Sequence, residues 1–346
     1  MDITGAPRVV VVTGVSRFLG AHIAAQIAAD PRVERVVGLD RANPPDDYED
    51  LLAGVDVRRV DLTRNTGNML AKLRAEAVVH LAVVSSPQGS GGRAAMKEQN
   101  VIGTMHLLAA CQQAPTLKRL VVRSSTAAYG ASFRDPAVFT EDTEARDVPR
   151  GGYGRDILDI EGYVRGFRRR RADVTATVLR FAPFVGPTAE TVLLRYFAQP
   201  LVPTVLGRDP RLQFIHVDDA LEILRRSVVE DHPGTFNVAG PGVITLSQAL
   251  RRSGRVTLPI VEPLLQAATR LGGVSLDQVD LFVHGRVVDT QKLTQEFGFT
   301  PRSTSVAFDD FIKSHEAGTV LTPERIDSFL DMIKGVRGAR GSRGQG

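Results

Sequence analysis

The stretch V-V-V-V-T-G-V-S-R-F-L-G, residues 9–20, decides the fold of this 346-residue chain. A β-rich run ends in a glycine turn, and a helical pattern follows. Such a turn lets backbone amides and the helix N-terminus face a pyrophosphate. Asp40 ends the next strand-like run, where a carboxylate can accept hydrogen bonds from a ribose diol. The stretch therefore predicts a dinucleotide-binding unit.

Strand-like and helical runs continue to alternate through the first half of the chain. Strands are predicted at 8–13, 35–40, 55–61, 77–81, 119–123 and 175–180, and helices at 18–29, 66–75, 94–114 and from 153 onward. This alternation predicts an α/β fold with a Rossmann-type doubly wound parallel sheet. Two later strands, 214–217 and 235–238, are predicted to return to the sheet, with a helix at 218–229 between them.

Prolines punctuate shorter elements beyond residue 186 and predict a smaller, interleaved C-terminal substrate lobe. We divide the chain into a nucleotide-binding domain, a lobe and a tail, at 1–186 (with returning segments near 213–240), 187–334 and 335–346. The Gly/Arg tail carries much of the net charge of +4 and is expected to be disordered.

Composition restricts the class of protein. The single cysteine, Cys111, excludes an internal disulfide and suits a reducing cytoplasm. No run of eighteen apolar residues occurs, so a membrane span is not expected. The basic tail lacks interleaved aromatic residues, so a nucleic-acid partner is not expected either.

Several motifs, in order, resemble those of the extended short-chain dehydrogenase/reductases, the NAD-dependent epimerase/dehydratase family, and especially an actinobacterial branch labelled UDP-glucose epimerase-like. They are T-G-V-S-R-F-L-G (13–20), V-V-H-L-A (78–82), N-V-I-G-T (100–104), S-S-T-A-A-Y-G (124–130), Y-G-R-D-I-L-D-I-E (153–161), L-R-F-A-P-F-V-G-P (179–187) and F-I-H-V-D-D-A (214–220). The resemblance covers about residues 8–313 and implies NAD or NADP as cofactor. It assigns cofactor contacts to Gly14, Arg17, Phe18, Leu19, Gly20, Asp40, Arg41, Asp61, Leu62, Leu81, Ala82, Asn100, Tyr153 and Pro183.

The same resemblance implies the catalytic groups. A Tyr of the family exchanges a proton with the substrate, a Lys four residues later lowers its pKa, and a Ser or Thr holds the substrate oxygen. Tyr153 matches the Tyr, and Ser125, with Thr126 as the alternative, matches the hydroxyl. The Lys position is Ile157, and no tyrosine of the chain is followed by Lys at four residues.

The missing Lys should affect oxidation more than reduction. A tyrosine with an ordinary pKa of about 10 is phenolate in roughly one molecule in a thousand at neutral pH. Oxidation of an alcohol needs that phenolate as a base, whereas a neutral tyrosine can still donate a proton during reduction. Arg155 points away from Tyr153 on an ideal helix and is a poor substitute for the Lys.

Two arginines bear on how the cofactor binds and on whether it is NAD or NADP. Arg17 replaces a glycine of the G-x-x-G-x-x-G spacing, where it could crowd the pyrophosphate or neutralise its charge. Arg41 could contact a 2′-phosphate, although Asp40 would repel that group, which favours NAD over NADP.

Two further departures concern the substrate. Pro183 stands where family epimerases often have Asn, and Leu212 where they often have Arg, with Arg211 beside it. We expect an NAD(P)-dependent oxidoreductase that acts on a sugar nucleotide or another carbonyl or hydroxyl compound, including a one-way ketoreductase. A catalytically impaired dinucleotide-binding sensor or scaffold is the alternative. The resemblance further implies a cytoplasmic homodimer.

The remaining polar motifs favour structural roles. His80 and His216 are interpreted as structural or cofactor-framing residues, and the seven histidines lack metal-ligand spacing, so no metal site is predicted. Asp218 and Asp219 are interpreted as helix N-cap residues and not as a catalytic carboxylate pair.

Overall fold

The computed structural model describes residues 5–64, 66–87, 91–132, 134–149, 152–187, 196–197, 201–261 and 276–315. The predicted Gly/Arg tail and parts of the predicted substrate lobe lie outside these residues. None of the described helices is both long and apolar enough to cross a membrane.

The strands follow the predicted runs closely in the first half of the chain. In chain order the described strands are β1 (Val9–Thr13), β2 (Arg35–Asp40), β3 (Val55–Arg59), β4 (Ala77–His80), β5 (Arg119–Ser125), β6 (Thr175–Phe181), β7 (Phe184–Val185), β8 (Leu201–Val205), β9 (Arg211–Leu212), β10 (Ile215–His216), β11 (Gly234–Val238), β12 (Ile244–Thr245) and β13 (Val256–Ile260).

The helices fill the intervals between the strands. They are α1 (Phe18–Ala28), α2 (Met69–Leu73), α3 (Arg93–Lys97), α4 (Gly103–Gln112), α5 (Gly152–Arg170), α6 (Val217–Val229), α7 (Leu246–Arg252), α8 (Leu276–His284), α9 (Gln291–Phe297) and α10 (Thr304–His315). A π-helical turn, Glu98–Ile102, joins α3 to α4, and 3₁₀ turns lie at Asp46–Tyr48 and Thr126–Tyr129.

Seven parallel strands form the main sheet, in the order β11-β6-β5-β4-β1-β2-β3. The order reverses between β1 and β4, and ligands of doubly wound sheets bind at this switch point, outside the carboxyl ends of the strands. The prediction of a Rossmann-type doubly wound sheet is confirmed.

Apolar layers cover both faces of this sheet. One contains Leu107 of α4 and Ile157 of α5, and the other contains Ile23 of α1 and Ile223 of α6. A third cluster, rich in phenylalanine, packs Leu212 of β9, Phe282 of α8 and Phe308 of α10 together, and we call the elements that share it the lobe. The layers fix the carboxyl edge of the sheet as a rigid platform for the loops that follow each strand.

One predicted strand belongs elsewhere. The segment predicted to return at 214–217 forms the two-residue β10, which pairs with β7 in a separate small sheet, so this prediction is wrong. The other returning strand, β11, does join the main sheet beside β6. A short apolar run gives no sequence signal for which of two strands it will pair with, because both choices bury the same side chains.

Candidate active site

The glycine turn after β1 brings the start of α1 close to the end of β4. Gly14 has a φ of +87°, and a Cβ there would lie 2.9 Å from the backbone nitrogen of Ala82. A Cβ on Gly20 would lie 2.1 Å from the carbonyl oxygen of Gly14. Both positions therefore need glycine, one for its conformation and the other for the close approach of helix and turn.

Arg17 occupies the N-cap position of α1 in an extended conformation, with φ −121° and ψ 155°. Any L-residue adopts this conformation, so the missing glycine does not strain the turn. No side chain caps the first amides of α1, which leaves them directed at the crevice. An uncapped helix N-terminus at a switch point fits the phosphates of a dinucleotide.

Asp40 ties the glycine turn to the end of β2. Its carboxylate accepts hydrogen bonds from the backbone nitrogen of Ser16 at 3.0 Å, the hydroxyl of Ser16 at 2.6 Å and the backbone nitrogen of Arg41 at 2.7 Å. Each carboxylate oxygen has more than one lone pair, so a ribose diol could still share this acceptor. Asp40 thus holds the turn and lies where the sequence predicts a ribose contact.

His80 sits in a fully buried hydrogen-bonded chain beneath the crevice. Its Nδ1 lies 2.8 Å from the hydroxyl of Thr13, and its Nε2 lies 2.8 Å from that of Thr104. Thr104 donates its own proton to the carbonyl of Asn100, so His80 donates from Nε2 and accepts at Nδ1. Burial lowers the pKa of His80 to about 4, which keeps the ring neutral in this structural role.

Asn100 lies in the π-helical turn and bridges the end of β4 to α5. Its side-chain oxygen accepts from the nitrogen of Val84 at 2.7 Å, and its amide donates to the carbonyl of Val84 at 2.9 Å and to Asp156 at 3.0 Å. All hydrogen-bonding groups of this fully buried amide are bonded to protein atoms. Asn100 thus connects the segment after β4 to the start of α5.

Asp156 forms an ion pair that sequence reasoning missed. Its carboxylate is fully buried and receives two bonds from Arg93, at 2.9 and 2.6 Å. The same guanidinium donates to the carbonyl of Gly152 at 2.9 Å, next to Tyr153. Nothing in the sequence joins Arg93 to Asp156, 63 residues later, so only the fold shows this pair.

Tyr153 lies in the first turn of α5, on the helix face that packs against the sheet. Ile157 is completely buried in the same apolar layer, one helical turn on. The position where the family has Lys is therefore occupied by an apolar side chain. Arg155 donates to the carbonyl of Pro149 at 2.8 Å.

Ser125, one of the two predicted catalytic hydroxyls, ends β5. Its side chain is half-buried and accepts from the nitrogen of Ala127 at 3.1 Å, which leaves its proton available for donation. Thr126, inside the 3₁₀ turn, is buried.

Tyr129 belongs to a structural network and not to the catalytic set. Its hydroxyl lies 2.7 Å from the side-chain oxygen of Asn237 and 2.8 Å from Arg180. Arg180 in turn pairs with the buried Glu161 of α5 at 2.7 Å. Burial raises the pKa of Tyr129, which makes it a poor base. The network joins α5 and β6 to β11 behind the predicted catalytic hydroxyl.

The remaining predicted cofactor residues have the following contacts in the structure. Asp61 accepts from the hydroxyl of Thr63 at 2.7 Å, and Leu62 packs near Gly103. Arg41 contacts the side chain of Gln99 once the amide of Gln99 is oriented to accept. Pro183, after β6, accepts from the nitrogen of Ile215 through its carbonyl. Phe18 and Leu19 open α1.

A cavity of about 380 Å³ lies between the main domain and the lobe. Arg211 lines it, together with Ser132 and Arg208, whereas Leu212 is fully buried in the lobe core. Leu212 therefore offers no side chain to this cavity, whereas Arg211 lines it and donates to the carbonyl of Ala137 at 2.8 Å.

The polar motif at the start of α6 needs one correction. The N-cap residue of α6 is His216, whose Nδ1 accepts from the nitrogen of Asp218 at 3.2 Å. Asp218 and Asp219 lie in the first turn and pair with Arg302 at 3.2 and 3.7 Å. The predicted cap was therefore wrong by two residues. Among the described residues no cluster of His, Cys, Asp or Glu could hold a metal ion.

The fold and the glycine turn together define a Rossmann-type dinucleotide-binding protein. A model of the NAD dependent epimerase/dehydratase family matches residues 10–239, and the chain belongs to this family. The predicted cofactor, NAD, agrees with the family.

The chain is also similar in sequence or in fold to individual known proteins. An uncharacterized protein of Mycobacterium tuberculosis is 40% identical over 97% of this chain and 92% of its own. The fold is similar to that of UDP-glucose 4-epimerase from Thermotoga maritima with UDP-glucose, with 18% identity and a TM-score of 0.68 over 89% of this chain and 98% of that one. It is also similar to UDP-glucose 4-epimerase from Thermus thermophilus in complex with NAD, with 20% identity and a TM-score of 0.69 over 90% and 100%.

Proposed function

We propose that this protein is an NAD-dependent oxidoreductase that reduces a carbonyl group of a small polar substrate and reverses that reaction poorly. The observation that carries this proposal is the complete burial of Ile157 in the apolar layer beside Tyr153. With hydrocarbon in place of an ammonium group, nothing at this position favours the phenolate. A tyrosine that stays protonated serves as a proton donor, which reduction requires.

The residues of the chain divide the chemistry between them. The bound dinucleotide supplies the group that transfers the hydride. Tyr153 donates a proton to the substrate oxygen, and Ser125 donates a hydrogen bond that holds this oxygen in place. Asn100 and Asp156 fix the start of α5, so that Tyr153 is held at one position on the sheet edge.

A sugar nucleotide is the substrate class that the cavity favours. Arg208, Arg211 and Arg286 line the space between domain and lobe. Asp135 and Asp209 line it too, so the guanidinium groups outnumber the carboxylates, and guanidinium groups suit a diphosphate. The Thermotoga maritima epimerase of similar fold was solved with UDP-glucose. A carbonyl compound without a nucleotide is the second class. A cytoplasmic location and a homodimer stay predictions.

The alternative is a dinucleotide-binding sensor or scaffold without turnover. The packing of Ile157 also supports this reading, because the apolar stripe of α5 is then purely structural.

Two measurements on the purified protein separate these functions. Calorimetric titration with NADH and NADPH comes first, and a turnover assay on 4-keto sugar nucleotides and simple ketones follows. Turnover in the reductive direction with weak oxidation supports the reductase. Binding of NADH without turnover across the panel would favour the sensor, and binding of neither nucleotide would refute both. Tyr153→Phe is the matched control, since it removes the proposed proton donor and should abolish turnover, while its affinity for NADH measures whether the hydroxyl also contacts the cofactor.

A further inference from the structure

Two arginine side chains converge on one carbonyl oxygen in the segment that follows β4. Nη1 of Arg17 lies 3.2 Å from the oxygen of Val83, and Nη1 of Arg123 lies 3.3 Å from the same atom. Arg17 comes from the glycine turn and Arg123 from β5, so the two cations meet at the switch point of the sheet from opposite sides. A single carbonyl can accept both bonds but cannot balance two charges.

The surroundings of this pair are short of negative charge. Burial lowers the pKa of Arg17, and of the ionised groups acting on it Asp40 attracts while Arg123 and Arg41 repel. Asp40 already accepts two bonds from Ser16 of the glycine turn and one from the backbone nitrogen of Arg41. Nε of Arg123 is buried and has no hydrogen-bond partner. A buried donor without an acceptor is costly, as is a pair of like charges without a counterion.

Arg123 is also held in place on its other side. Its guanidinium carbon lies 5.4 Å from the centre of the Phe184 ring, within the range of a cation–π contact. The aromatic ring and the carbonyl of Val83 thus fix the guanidinium before any ligand binds. Arg123, whose Nε still lacks an acceptor, shares the carbonyl of Val83 with Arg17, the N-cap residue of the uncapped α1, and this arrangement fits an oxyanion.

We propose that Arg17 and Arg123 form a two-arginine clamp for the pyrophosphate of the dinucleotide, in place of the close backbone approach that a glycine at position 17 would allow. The inference rests on the family's cofactor, and it needs binding alone, so it stands even if the turnover panel finds no substrate. The clamp acts on a group shared by NAD and NADP. A contact with the 2′-phosphate would instead concern NADP only.

Equilibrium binding of the full-length protein tests this assignment. The ligands are NADH, NADPH and ADP-ribose, which all contain the pyrophosphate, and the variants are Arg17→Gly and Arg123→Gln. Each substitution is expected to lower the affinity for all three ligands about tenfold or more, since each removes a charge-assisted contact. Arg58→Gln is the matched control, because Arg58 pairs with Asp56 on the exposed side of β3, and its affinities should not change.

The competing results are distinct. Tighter binding by Arg17→Gly would mean that Arg17 crowds the cofactor, and unchanged binding would mean that it makes no net contribution. A loss restricted to NADPH would assign the pair to the 2′-phosphate. Each of these results overturns the clamp. If a variant fails to fold, inorganic pyrophosphate with the wild-type protein replaces it. Pyrophosphate should raise the melting temperature and compete with NADH, and the absence of both effects at millimolar concentration would equally refute the proposal.

Discussion

His80 shows how a single buried side chain makes stability depend on pH. Its pKa is lowered to about 4 by burial, whereas an unfolded histidine has a pKa near 6.5. Between these values the unfolded state binds more protons, so the free energy of unfolding decreases as pH falls from about 6.5 to about 4. The shift corresponds to about 3 kcal/mol as an order of magnitude.

The measurement is urea unfolding of the wild type and of His80→Gln at several pH values. The variant loses stability at pH 7 because Thr13 and Thr104 lose a partner. Its stability should then fall less steeply than that of the wild type between pH 6.5 and 4. Parallel pH profiles for the two proteins would show that His80 does not titrate in this range.

The ion pair of Arg93 and Asp156 is the second test at the level of single residues. Arg93→Gln leaves a fully buried carboxylate without its cation, which should cost about 2–3 kcal/mol, a discount from the usual range because the Arg93 side chain is 39% exposed. Chemical denaturation gives this value. Arg32→Gln removes a surface pair with Asp30 and should change stability little. Equal losses of stability for the two variants would contradict the expectation that the buried pair contributes more than the surface pair.

Among the elements of the fold, α5 carries Tyr153, the proposed proton donor. Position 157 of this helix, where the family has Lys, can be tested directly. Ile157→Lys puts an amine one helical turn from Tyr153, where a cation would favour the phenolate. We expect faster alcohol oxidation at neutral pH and a lower pH optimum, together with lower stability, since the site is fully buried. Rates in both directions against pH, on the best substrate of the panel, measure this effect.

Ile157→Met serves as the control for this substitution, since it has similar length and no charge. It should leave the pH optimum where the wild type has it. If the lysine variant folds, as far-UV circular dichroism would report, and its pH profile matches that of the methionine variant, Tyr153 takes no part in proton transfer.

The main elements were predictable from sequence because strand and helix periodicities are local. The glycine turn was predictable for the same reason, and the roles of Asp40 and Tyr153 stay predictions that rest on their offsets within local motifs. Arg93 and Arg123 were not predictable, because their partners are Asp156 and the carbonyl of Val83, at distances of 63 and 40 residues along the chain. The predicted pairing of β10 was wrong for a different reason, because a two-residue strand has too short a sequence pattern to indicate its neighbour.

For the whole molecule, the interleaving of domain and lobe implies a single unfolding unit. Asn237 of β11 donates to the carbonyl of Asp289, and Gln213 donates to Gly240 and accepts from the nitrogen of Val288. Arg286 of the lobe donates to the carbonyl of Gly130 at 2.7 Å. The lobe is thus bonded to several strand ends of the sheet, and neither part completes its buried hydrogen bonds alone.

Cys111 provides the probe for this prediction, because burial in the sheet layer raises the pKa of its thiol to about 12 and makes the native thiol unreactive. Alkylation at pH 8 during urea unfolding reports the main domain, and far-UV circular dichroism reports the whole chain. We expect one coincident midpoint, shifted equally in both signals by Gln213→Ala, which breaks the lobe contacts without touching the layer around Cys111. Separate midpoints would mean that the lobe unfolds on its own, since a probe deep in the sheet would then respond later than the average backbone.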